Sequence, residues 1–168
     1  MKKISLLLVA VVSSISAFSQ GKDVVDIAIS SPDHTTLVAA VKAADLVTTL
    51  KSAGPFTVFA PTNDAFDKLP EGTVANLLKP ENKAQLAKIL TYHVVSGNLD
   101  AAAVLDAIKK GNGKVVLTTV SGGKLTASLD MGKVKLIDES GKSAYVTAAD
   151  LKGTNGVIHV IDGVVLPR

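Results

Sequence analysis

The sequence predicts an α+β domain, with helices first and an antiparallel meander after them, on three observations. Apolar residues recur at helical spacing through residues 23–110 and at every second position from Lys114 onward. Short turns rich in glycine separate the later apolar runs: Ser121-Gly122-Gly123, Asp130-Met131-Gly132 and Glu139-Ser140-Gly141. One strand, over residues 56–60, stands alone inside the helical half. Helices grouped ahead of strands indicate a segregated α+β layout, not an alternating α/β one.

Taken in order, Met1-Lys2-Lys3 opens a secretory signal peptide. Its apolar run, residues 4–12, is far short of the ~20 residues a membrane span needs. Small residues at Ala17 and Ser19 place the cut after Ser19, with Ala17 as the next choice. Residues 1–19 are then the signal and 20–168 one domain. Val24, Val25, Ile27 and Ala28 form the first helical cluster, broken by Ser31-Pro32-Asp33. Leu37, Val38 and Val41 resume it, with Asp33 placed as the cap. Gly54-Pro55 stops the helices, and Phe56, Val58 and Ala60 alternate with Thr57 and Phe59 in a strand apolar on both faces.

Pro61 ends that strand, and Thr62 caps a helix through Leu69 with Asp64 in its first turn. Leu86, Ile89, Leu90 and His93 share one face of a helix over about 82–95. Asp100 caps the next, residues 101–110, which closes on two lysines and Gly111. Strands are expected at 115–120, 124–129, 133–137, 144–147, 157–161 and 164–166. Asn155-Gly156 reads as a tight turn with positive φ. Asp138-Glu139 reads as a solvated turn.

Composition narrows the function. The chain has no Cys, which excludes disulfides, thiolate metal sites, Cys nucleophiles and lipid attachment at a cysteine. It has no Trp, four Phe, two Tyr and a lone Arg at position 168, so neither base stacking nor guanidinium readout of nucleic acid is on offer. Loss of Lys2 and Lys3 with the signal brings the net charge of +3 down to near neutral. His34, His93 and His159 fall on separate elements without the close spacing of a zinc motif, and the carboxylates lack a calcium-loop pattern. No Gly-x-Ser-x-Gly elbow occurs. The expectation is a non-enzymatic protein without metal or cofactor.

Three segments carry a resemblance to a known family. The run from Gly54 to Phe66, with Phe56, Phe59, Pro61, Thr62, Asn63, Asp64 and Phe66, resembles the first signature box of the fasciclin (FAS1) domain family. Tyr92-His93 is similar to that family's Tyr-His pair. The run Asn155-Gly156-Val157-Ile158-His159-Val160-Ile161-Asp162, followed by Val164-Val165-Leu166-Pro167, resembles the second box. The resemblance implies a FAS1-like β-wedge or sandwich of about seven strands with several short helices packed around it. It implies a secreted adhesion or interaction module that binds a cell-surface or extracellular matrix component, protein or polysaccharide. In some animal members Tyr-His forms a cell-contact site, and an Asn-Lys-Asp-Ile motif precedes the second box. The matching stretch here, Ala148-Ala149-Asp150-Leu151, keeps the acid and the aliphatic residue and lacks the Asn-Lys.

Tyr92, His93, Asp150 and Leu151 are therefore the candidate contact residues. The residues themselves allow a plainer reading, a core hydrogen-bonded pair at Tyr92-His93 and a turn cap at Asp150. The box residues, His159 and Asp162 included, read mainly as fold determinants. A carrier of a small apolar ligand such as a carotenoid, lodged between the helices and the sheet, is the alternative. A structural subunit of an envelope assembly is a third.

Overall fold

The computed structural model describes residues 21–168, so the signal peptide expected over residues 1–19 lies outside the described residues. The elements run α1 (Val24–Ser30), α2 (Thr35–Ala43), α3 (Val47–Leu50), β1 (Phe56–Pro61), α4 (Asn63–Asp67), α5 (Thr73–Leu77), α6 (Lys83–Tyr92) and β2 (Val94–Ser96). Then follow α7 (Ala101–Lys110), β3 (Lys114–Thr118), β4 (Lys124–Asp130), β5 (Lys133–Ile137), β6 (Ser143–Gly153) and β7 (Gly156–Ile161). The strands form one sheet of seven in the order β2-β1-β7-β6-β5-β4-β3. β3 to β7 are an antiparallel meander, as the turn spacing predicts. Val95 bridges Thr119, and the Val120 amide donates to the Val94 carbonyl at 2.7 Å, so the two ends of the sheet meet and nearly close it into a wedge. The α+β wedge expected from the sequence is the fold observed.

The joint between the two halves is the pairing of β1 with β7, which is parallel and runs from Phe56↔Gly156 to Pro61↔Ile161. The expected tight turn forms at Thr154-Asn155, between the paired Gly153 and Gly156, but neither Asn155 nor Gly156 has the positive φ expected there. Gly156 is needed for closeness instead: a Cβ there would run into the Phe56 carbonyl. β1 lies between β2 and β7, so both of its edges are paired, and a core covers each of its faces. Val58 and Ala60 pack with Val24, Leu37, Leu86 and Ile158 under the helices, whereas Phe59 joins Ile108, Leu125, Leu136 and Ile161 inside the wedge. Each fully buried aliphatic side chain contributes about 1.5–3 kcal/mol of transfer free energy. β1 therefore contributes to two cores at once.

Four local expectations are corrected. The helix carrying Leu86 and Leu90 stops at Tyr92, because Val94 and Val95 pair with Val58 and Thr57 as β2. The helix begun by Thr62 ends at Asp67. Asp33 sits inside a 3₁₀ turn, Pro32–His34, and caps nothing; the start of α2 is satisfied by the Asn63 side chain, whose Oδ1 accepts from the Thr36 amide at 3.0 Å. Residues 164–166 are not a strand but a strap laid across the end of the wedge. By contrast, Thr62 and Asp100 cap as expected, accepting from Ala65 at 3.2 Å and Ala103 at 2.9 Å.

Candidate functional site

Tyr92 closes α6 with its side chain fully buried in the wedge. Its hydroxyl donates to the Lys124 carbonyl at 2.6 Å and accepts from the Glu139 amide at 3.3 Å, tying α6 to the β3–β4 and β5–β6 turns. Burial, reinforced by the Glu139 and Asp138 charges, pushes the phenol up to about 12. His93 is also buried. Its Nδ1 lies 2.8 Å from the Ile89 carbonyl and its Nε2 3.3 Å from the Val165 amide, so Nδ1 carries the proton and Nε2 accepts. Burial pushes this imidazole down to about 4, leaving it neutral over most of the ordinary pH range. The pair presents no surface to a partner; it holds α6 to the sheet turns and to the C-terminal strap.

Asp138, read as solvated, is also buried. Its Oδ1 accepts from the Ser140 and Lys142 amides, each at 2.9 Å, and its Oδ2 from the Leu166 amide at 2.9 Å. With His93 on Val165, Glu139 on the Arg168 amide at 3.1 Å and Lys88 Nζ donating to the Arg168 carbonyl at 2.7 Å, four side chains fasten the strap. The bonds to Ser140 and Lys142 are those of a local turn, but the contact of Asp138 with the strap comes only from its meeting with a segment 28 residues later.

Asp150 and Leu151 lie elsewhere, on an exposed stretch of β6. The β6–β7 register shifts twice, between Val146 and Ala148 and again between Ala148 and Leu151, and Asp150 has φ 62°. Such bulges bend a strand and re-aim its side chains. Asp150 is fixed from both sides: its amide donates to His159 Nδ1 at 3.4 Å, and its Oδ1 accepts from Ala101, the first residue of α7, at 2.8 Å. His159 is buried, stacks on Phe59 with ring centroids 5.7 Å apart, and donates through Nε2 to the Leu99 carbonyl at 2.6 Å. β6, β7 and the α7 entrance thus form one hydrogen-bonded loop. Leu151 pairs with Ile158 and keeps 39% of its surface exposed. The four candidates fall into two places: Tyr92-His93 inside, Asp150-Leu151 outside.

The signature residues hold the frame. Asn155 accepts from the Val24 amide at 3.0 Å and donates to the Leu50 carbonyl at 2.7 Å, and Asp162 accepts from the Tyr145 amide at 2.8 Å. Asn63 donates to the Pro32 carbonyl at 3.0 Å. Phe66 and Pro61 are buried, Phe56 and Thr62 half-buried, and Pro55 and Asp64 are exposed. Among the described residues no group of His, Asp and Glu side chains is placed to hold a metal ion. His34, the third imidazole, is buried with Nδ1 against Ser31 Oγ at 2.8 Å, and burial lowers its pKa. Between α1, α2 and β1 runs a wholly apolar cleft, lined among others by Val25, Ile29, Val38 and Leu90. Its interior void is only ≈ 40 Å³. Pockets for small organic ligands run about 300–1,000 Å³.

Residues 32–167 match the Fasciclin domain family. Protein sll1483 of Synechocystis sp. is 51% identical over 158 residues, which cover 94% of this chain and 80% of that protein. A second Synechocystis protein, sll1735, is 43% identical over 147 residues, covering 86% and 97%. Among solved structures, a FAS1 domain pair from the insect cell adhesion molecule Fasciclin I superposes with a TM-score of 0.76 at 21% identity, over 86% of this chain and 51% of that one. That likeness speaks to the fold, one wedge against a pair. The chain belongs to the Fasciclin domain family.

Proposed function

We propose that the protein is an exported adhesion or interaction module that binds a cell-surface or extracellular matrix component through a preformed surface centred on Asp150 and Leu151, with no bond made or broken. The observation that carries this reading is the doubly bulged stretch of β6. It is exposed over residues 147–152 yet anchored by the His159 and Ala101 contacts of Asp150. A rigid, exposed segment binds without a large ordering cost. The insect neighbour in fold is itself a cell adhesion molecule, which agrees with the reading. Tyr92 and His93 then support the module from within.

Carriage of an apolar molecule such as a carotenoid draws on the apolar lining of the α1–α2 cleft, but a void of ≈ 40 Å³ requires the two helices to part first. The adhesive reading needs no such change. The test is retention of residues 20–168 on intact cells, beside an Asp150→Asn/Leu151→Thr variant. Asn tolerates the left-handed backbone and keeps an acceptor for Ala101, so the fold is spared. Saturable retention by the wild type and its loss in the variant are expected; equal retention of both would remove the assigned surface.

A further inference from the structure

The outer face of the β3–β6 sheet carries chemistry that the Asp150 surface does not use. Charge is divided along the chain: residues 21–106 hold seven lysines against ten carboxylates, and residues 107–168 hold eight lysines and one arginine against five. The excess is concentrated on this face. The register Lys114↔Ser128↔Lys135↔Tyr145 sets one row across four strands, with Val116↔Thr126↔Ile137↔Ser143 beside it, Thr118↔Lys124 beyond, and Asp130↔Lys133 on the other side. The alternate residues Leu117, Leu125, Ala127, Leu136 and Ala144 are buried, so the rows named here point to solvent.

Asp130 is the one acid in those rows, and it is occupied: it accepts from Tyr145 Oη at 2.8 Å and pairs with Lys135 at 3.4 Å. Lys114, Lys124 and Lys133 take part in none of the ion pairs among the described residues. Glu139 next to the face spends both carboxylate oxygens on the Lys124 and Arg168 amides.

We infer that this face binds an acidic polysaccharide. The partner must be anionic, because three unpaired ammonium groups and the net charge of this half favour negative charge. It must be extended and rich in hydroxyls. Lys114, Lys124 and Lys133 stand apart on three successive strands, with the hydroxyls of Thr126 and Ser128 among them, as suits an extended chain that carries a carboxylate on each sugar. A nucleic acid fits poorly: the Lys135 ammonium lies 5.7 Å from the centre of the Tyr145 ring, so no aromatic platform is open for a base. The inference rests on the adhesive reading and names a partner class for it, on a face separate from Asp150-Leu151.

The test measures binding of residues 20–168 to immobilised polygalacturonate, with dextran as the neutral control. The wild type binds polygalacturonate but not dextran, and binding vanishes by ~1 M salt, where screening reaches within about 3 Å. Lys114→Gln/Lys124→Gln/Lys133→Gln, all at exposed positions, weakens it at least tenfold with the melting temperature kept. A control triple in the helical half, Lys22→Gln/Lys42→Gln/Lys79→Gln, leaves it unchanged. Equal weakening by both triples, absence of polygalacturonate binding, or stronger retention on phosphatidylglycerol vesicles or duplex DNA would each overturn the inference. Should the sheet-face triple lose polygalacturonate yet stay on cells, the Asp150 surface alone carries adhesion there. Should polygalacturonate binding fail while cells still retain the wild type, only the glycan inference is lost.

Discussion

Tyr92 joins three segments with one hydroxyl, so its removal is felt in more than one place. Tyr92→Phe leaves the Lys124 carbonyl and the Glu139 amide without their partner inside a closed wedge. Leaving a buried polar group unpaired costs about 1–3 kcal/mol, and a drop of that size in urea denaturation is expected. His93 makes a pH-dependent contribution. Its folded pKa, about 4, lies below the ordinary imidazole value of 6.5, so its contribution is complete above pH 6.5 and is lost as pH falls towards 4. At ~1.4 kcal/mol per pH unit, stability declines by about 3 kcal/mol across that window. His34, lowered in the same direction, adds to the decline. A His93→Gln variant should show a visibly shallower fall between pH 7 and pH 4 in denaturation at fixed temperature. The burial of His93 was legible in its helical stripe with Leu86, Ile89 and Leu90, whereas Tyr92 lies off that stripe and faces the wedge interior with Phe59 and Leu125. That of Asp138 was not legible, since an adjacent acid pair in a turn looks solvated until the strap at Leu166 is brought against it.

At the scale of elements, contacts three residues apart were legible and contacts across the chain were not. Asp100 and Thr62 each satisfy an amide three residues on, a geometry any helix start dictates. Asp100→Ala should therefore cost about 1 kcal/mol in thermal or urea unfolding. The wedge moderates this loss at α7, because the Asp150 carboxylate still holds the Ala101 amide. Asn63 is the counterexample: it caps α2 from 27 residues away, and Asp33, the local candidate, stands idle. The strand β2 was hidden for a related reason. Val94 and Val95 continue the apolar spacing of α6, and only pairing with Val58 and Thr57 makes them a strand. β6 is longer than its alternation suggests, because two bulges break the period over the stretch that carries Asp150.

The whole molecule is a wedge whose closure depends on residues far apart in the chain. β1 meets β7 in parallel, and β2 meets the end of β3 through Val95 and Thr119. The α+β class, the meander and most strand positions follow from apolar periodicity and turn chemistry. The parallel joint does not, because nothing local in Gly156 announces the Phe56 carbonyl that excludes a side chain there. The same architecture separates support from the proposed contact surface: Tyr92, His93 and the box residues hold the frame, and the Asp150-Leu151 stretch lies outside it. That separation is the central claim, and the most direct test compares two variants in paired assays of stability and cell retention. Tyr92→Phe should lose stability by about 1–3 kcal/mol and, at a temperature where it is folded, be retained on cells like the wild type. Asp150→Asn/Leu151→Thr should keep its stability and lose retention. The reverse pattern, retention lost at Tyr92 with stability intact and kept in the Asp150-Leu151 variant, would contradict the account.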